Sequence, residues 1–121
     1  MEKENIIVSK SIEFSLDLIA YCEILEEKRK YVIANQLLKS GTSIGANIHE
    51  AQNAESKADF IHKMKIAAKE AEESQYWLWL CEHSEGYADC SLLLNKIEEI
   101  NKILGKILSS SKMNYKNIIK L

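Results

Sequence analysis

The sequence predicts an all-α protein, an antiparallel up-down-up-down four-helix bundle, and three observations predict it. The 121 residues include no proline and only four glycines, so the turn and strand punctuation of a β-sandwich or barrel is missing. Apolar residues recur three and four positions apart through four long segments, the spacing of amphipathic helices. Short polar links join those segments, which makes consecutive helices antiparallel neighbours. At 46% hydrophobic the chain is too apolar for a disordered polymer, and its length suits one domain, residues 1–121, with a buried core.

The first helix is expected over about residues 9–27. It carries two apolar stripes half a turn apart: Ile12, Leu16, Ile19 and Ala20, expected to be buried, and Phe14, Leu18, Tyr21 and Leu25. A helix in a monomeric bundle needs one such face, so the second is surplus. The charged run 26–30 reads as a solvated turn. A second helix follows over about 31–51, with Ile33, Leu37, Ile44, Ile48 and Ala51 inward. Gly41 and Gly45 lie inside it, where each costs about 1 kcal/mol against alanine. They share a side with Ala34 and Leu38 in an unbroken pattern, which favours close helix packing over a break.

Ser56 followed by Asp59 reads as an N-cap with an acid three positions on. It opens a third helix over about 57–84, closed by Gly86. Phe60, Met64, Ala67, Ala71 and Leu78 form its core stripe, and Lys63, Ile66, Glu70, Glu73 and Trp77 form a line on another face. Large apolar residues interleaved with opposite charges fit a partner surface, so Leu18, Lys63, Ile66, Glu70, Glu73 and Trp77 are the oligomer-interface candidates, with Trp77 as anchor. The alternative for Trp77 is to cap one end of the monomer core. A fourth helix is expected over about 90–110, capped by Asp89, with Leu93, Ile97, Ile100, Leu104 and Ile107 inward. The tail, 111–121, carries Lys112, Lys116 and Lys120 without an acid. Ile118, Ile119 and Leu121 leave it open between docking on a neighbour and disorder.

Little chemistry is legible. A carboxylate-bridged metal bundle requires paired Glu-x-x-His motifs, whereas this chain offers Asp59-x-x-His62 alone, and His49, His62 and His83 read as surface or satisfied polar residues. No nucleophile elbow or glycine-rich phosphate loop is present. Glu70 and Glu73 read as ion-pair partners of Lys63 and Lys69 rather than as an acid–base pair. No catalytic residue, metal or cofactor is therefore expected. One polar line, Gln36, Ser43, Asn47 and Glu50, borders the core of the second helix. If buried it forms a hydrogen-bonded network with Lys63, Glu70 or Glu73, or a ligand site. Cys22, Cys81 and Cys90 lack metal-ligand spacing and read as reduced thiols of a cytoplasmic protein. No apolar run is long enough to span a membrane.

A net charge of −2 with Arg29 as the one arginine disfavours nucleic acid as a partner. Were it bound, Lys28, Arg29, Lys30, Lys112, Lys116 and Lys120 would carry it.

The run from Gln36 to Ala51, and the blocks Ser56–Met64 and Ile66–Leu78, resemble the four-helix bundle proteins encoded in intervening sequences of bacterial large-subunit ribosomal RNA genes. Leu38-Lys39 and Ala51 stand where many members have a basic pair and a glycine. The resemblance spans about residues 9–110. It implies an antiparallel bundle assembling as a homopentamer, with no established enzyme activity. A related branch, the accessory variability determinant of diversity-generating retroelements, implies nucleic-acid binding through a basic surface, which this acidic chain lacks. The expected function is a self-associating interaction scaffold; the alternative is a nucleic-acid accessory protein.

Overall fold

Short polar links set consecutive helices side by side, and the observed contacts follow. The structure, a computed structural model, describes the backbone of residues 5–120 and the side chains of residues 5–111. Its elements are α1 (Ile6–Glu27), α2 (Tyr31–Ala51), α3 (Lys57–Glu82) and α4 (Ser91–Lys120). Each touches the next, and α4 returns to α1 to close the ring, with no diagonal pairing among the described residues. This is the all-α antiparallel four-helix bundle that the sequence predicts.

The caps explain the boundaries. Ser56 Oγ accepts from the Asp59 N–H at 3.0 Å while Asp59 Oδ2 accepts from the Glu55 N–H at 3.2 Å, so α3 begins where expected. α1 begins at Ile6, three residues earlier than expected, and Asn5 Nδ2 donates to Gln52 Oε1 at 2.8 Å, tying its start to the end of α2. The α1–α2 turn is a six-to-one closure: the Lys30 N–H bonds the Leu25 carbonyl at 2.8 Å and the Arg29 N–H that of Glu26 at 2.9 Å. Arg29 takes the left-handed position, φ 62°, which glycine usually fills and which costs another residue about 1 kcal/mol.

At the far end α3 stops at Glu82 rather than Ser84, and Gly86, at φ +82°, turns the connection instead of closing the helix. Asp89 does not cap α4. It accepts from Ser91 Oγ at 2.7 Å, while the Cys90 carbonyl takes the first helical bond, from the Leu94 N–H at 2.9 Å. Glu82 holds the Cys90 N–H at 3.2 Å, joining the two helix ends. α4 runs to Lys120, ten residues past its expected end.

One core fills the ring, and its composition overturns the expected faces of α1. The buried stripe is Ile7, Ser11, Phe14, Leu18, Tyr21, Cys22 and Leu25. Ile12, Leu16, Ile19 and Ala20, expected inside, are exposed. On α2, Leu37, Ile44, Ile48 and Ala51 are buried as expected and Ile33 is half-buried. Of the two interior glycines, Gly41 is the one that helix packing requires. A Cβ on Gly41 would stand 1.9 Å from Leu18 Cδ2, inside the contact distance of a fully buried side chain. A Cβ on Gly45 would meet only Ser11 and Ser15 at ordinary contact, 3.4 Å or more.

Candidate interaction face

The chemistry-bearing residues are scattered, and the apolar surface is not. On α1 the residues opposite the core, Ile12, Leu16 and Ile19, are 52%, 63% and 42% exposed. They follow one another by four and three positions, one line along a helix. Ile12 and Leu16 form one wall of a groove between α1 and α2, with Thr42, Gly45, Ala46 and His49 across it and a volume of about 320 Å³. Gly45 keeps its floor low because nothing projects there. A second exposed apolar strip lies on α3, where Tyr76 and Trp79 face outward and the Trp79 ring stacks on His83 at 4.1 Å.

Of the six interface candidates, Leu18 is corrected outright: it is fully buried against α2. Trp77 is half-buried against the core, donates from Nε1 to Glu73 Oε2 at 3.1 Å and meets Tyr76 edge-on at 5.2 Å. That placement matches the alternative reading of Trp77 as a cover of the core more than an exposed anchor. Ile66 and Glu70 are also half-buried, while Glu73 is exposed. Lys63 Nζ bonds Glu50 Oε1 at 2.9 Å, not Glu70 or Glu73. That carboxylate holds the Lys63 ammonium above the usual lysine range.

The polar line on α2 does not close into a buried network. Gln36 and Glu50 are exposed, and Ser43 and Asn47 are half-buried. Ser43 donates to the Lys39 carbonyl and Asn47 to the Ser43 carbonyl, each at 2.8 Å, so both are satisfied within their own helix. The buried polar contact lies one face over. Ser74 Oγ on α3 sits 2.8 Å from Ser40 Oγ on α2 and from the Glu70 carbonyl, in the core. The sequence held a clue, since Ser40 and Ser74 fall in phase with Leu37, Ile44, Ala71 and Leu78.

Lys28 and Arg29 are exposed at the α1–α2 turn, and Lys30 places Nζ 5.0 Å from the centre of the Tyr87 ring, a cation–π distance. The side chains of Lys112, Lys116 and Lys120 lie outside the described residues, as do those of Ile118 and Ile119 and the whole of Leu121. His49, His62 and His83 are exposed, and no group of three or more histidine, cysteine, aspartate or glutamate side chains stands positioned for a metal among the described residues.

Cys22, Cys81 and Cys90 are buried free thiols at the end of the bundle where Tyr21 donates to the Ala88 carbonyl at 2.7 Å. Burial pushes Cys22 and Cys90 up to about 12, raises Cys81, and raises the Tyr21 phenol as well. Such thiols stay protonated and unreactive at neutral pH. No helix among the described residues is long and apolar enough to cross a membrane.

Residues 3–106 match the family model described as 23S rRNA-intervening sequence protein. The chain belongs to that family. Among solved structures, it is similar to a protein of unknown function from the S23 ribosomal protein family of Bacteroides thetaiotaomicron. The two share 43% identity at a TM-score of 0.80, over 84% of this chain and 97% of the other. No curated protein matches. The 23S rRNA-intervening sequence match takes in α1 to α3 and α4 as far as residue 106.

Proposed function

We propose that this member of the 23S rRNA-intervening sequence protein family is a non-enzymatic, self-associating bundle that serves as an interaction scaffold, assembled as a homopentamer in the cytoplasm. One observation carries the reading: α1 is apolar on both sides, with Ile12, Leu16 and Ile19 left on the outside in a continuous line. Monomers seldom leave a line of large aliphatic side chains in water, and contiguous apolar surface of this kind marks an interface. The groove beside the line gives the contact shape, and the order of five comes from the family resemblance.

Light scattering on the full chain tests it. A five-chain mass at micromolar concentration is expected, falling to a single-chain mass in Leu16→Glu with the helical circular dichroism unchanged. A single-chain mass for the unmodified protein overturns the proposal.

A second reading, binding of nucleic acid, is supported by the exposed pair Lys28 and Arg29, neither of which has a carboxylate at ion-pair distance among the described residues. Five copies of that turn around a ring would act together. RNA affinity that falls steeply with added salt is expected under this reading.

A further inference from the structure

One line along α3 carries rings and charges and no aliphatic side chain. His62, Lys65, Lys69, Glu72, Tyr76, Trp79 and His83 follow one another by three and four positions, and all seven are exposed. That spacing sets them on one side of the helix, over about 31 Å at the standard rise. Tyr76 and Trp79 are 56% and 53% exposed. The Trp79 ring lies on His83 at 4.1 Å with 25° between the planes. His83 Nδ1 stands 2.9 Å from the Trp79 carbonyl, which holds the imidazole in place. The helix thus already presents a stacked pair of rings to solvent.

Charge adds to the rings. Lys69, expected to pair with Glu70 or Glu73, has no carboxylate at ion-pair distance among the described residues, and neither has Lys65. Glu72 is the one acid on the line, and Glu73 is engaged by Trp77 Nε1. The contrast with α1 decides what this line suits. Ile12, Leu16 and Ile19 offer aliphatic surface, which gains from burial against any apolar partner. Rings beside unpaired ammonium groups offer stacking faces and phosphate contacts, the two components of single-strand recognition. At a net charge of −2 the whole molecule gives an anion no long-range attraction, so affinity has to come from contact at the line itself.

We propose that the outward line of α3 is a platform for single-stranded nucleic acid. Bases stack on Tyr76 and on the Trp79–His83 pair, and phosphates of the same strand meet Lys65 and Lys69. The inference rests on the second reading above, binding of nucleic acid, and names the kind of strand and a contact surface apart from the Lys28–Arg29 turn.

The experiment uses the full chain and a fluorescent single-stranded RNA of about twelve nucleotides, within the span that such surfaces cover, with its duplex for comparison. The single strand is expected to bind more tightly than the duplex and to quench tryptophan emission. Trp79→Ala is expected to weaken that binding about tenfold, and Lys65→Gln with Lys69→Gln to flatten the slope of log affinity against log salt by about 1.4. Both changes lie on an exposed face, and unchanged helical circular dichroism checks the fold. Binding that is lost in Lys28→Gln with Arg29→Gln and untouched by the α3 variants overturns the platform and leaves the turn as the nucleic-acid site. Duplex bound as tightly as the single strand, with no effect of Trp79→Ala, also overturns it. No binding of either RNA at low salt removes both readings, and a loss of assembly mass in Trp79→Ala then assigns the line to a protein contact.

Discussion

The two faces of α1 differ little in hydrophobicity and entirely in fate. One buries Phe14, Leu18 and Leu25 completely; the other leaves Ile12, Leu16 and Ile19 in the open. Apolar content therefore does not decide which face turns inward; continuity does. From Ile7 to Leu25 the buried stripe meets no charge, with Ser11 its most polar member, whereas the outer line runs into Glu23 and Glu26 within two turns. A bundle core extends the whole length of a helix and tolerates no unpaired carboxylate, while a local contact with another chain needs only a few turns.

The largest expected effect comes from truncating each face in turn. Phe14→Ala is expected to cost about 3–5 kcal/mol of folding stability in urea titrations, through a cavity in a closed core. Leu16→Ala is expected to change monomer stability by less than about 0.5 kcal/mol. Equal costs would mean that the two faces are equivalent in the folded chain.

The two glycines of α2 sharpen the contrast because they lie against different margins of α1. Gly41→Ala forces a methyl group onto Leu18 and is expected to lose about 1–2 kcal/mol, overpacking outweighing the gain in helix propensity. Gly45→Ala meets only Ser11 and Ser15 at ordinary contact and is expected to gain up to about 1 kcal/mol. Opposite signs in parallel denaturation curves are the result to look for.

A smaller effect should appear in alkali. Burial raises Cys22 and Cys90 from the usual thiol value of 9.0 to about 12. The folded chain thus keeps protons that the unfolded chain releases. Stability is unaffected by these groups below pH 9 and falls between about 9 and 12. Lys63 and Lys96, raised chiefly by their hydrogen bonds to Glu50 and Asp17, push in the same direction above 10.5. Melting temperatures recorded from pH 8 to 11 should decline less steeply in Cys22→Ala, and a thiol reagent at pH 8 should label the native chain slowly and the unfolded chain fully.

Much of the fold was legible because it rests on local signals. The Ser56–Asp59 cap, the spacing of Leu37, Ile44 and Ile48, and the paired glycines each state their role within a few residues. What was misread depends on a partner helix. The inward face of α1 is seated against Gly41 on α2, where a Cβ would run into Leu18, and that contact is invisible within α1 alone. The polar line Gln36, Ser43, Asn47 and Glu50 was read as bordering the core and networked if buried, yet the buried polar contact is Ser40 with Ser74. A serine that bonds back to its own helix is small enough to enter a core where longer amides and carboxylates are not. Asp89 is not the cap because α4 begins one residue later than such a cap requires: the Cys90 carbonyl takes the first helical bond, and the Asp89 carboxylate accepts from Ser91 Oγ instead. A surplus apolar stripe on α1 was foreseen but placed on the wrong half of the helix, since the exposed line is Ile12, Leu16 and Ile19.

The ring of four helices has one seam unlike the others. α1 meets α4 through Lys10–Glu99 and through Lys96 with Glu13 and Asp17, so three of the five ion pairs among the described residues lie there. Among the described residues it is also the one helix contact between segments that are not consecutive in the chain. Surface ion pairs hold weakly and are screened by salt, and a contact between distant segments closes at the largest cost in chain entropy. The bundle thus has a natural line of breathing: amide exchange along the α1–α4 edge should quicken with ionic strength while the α2–α3 edge stays closed.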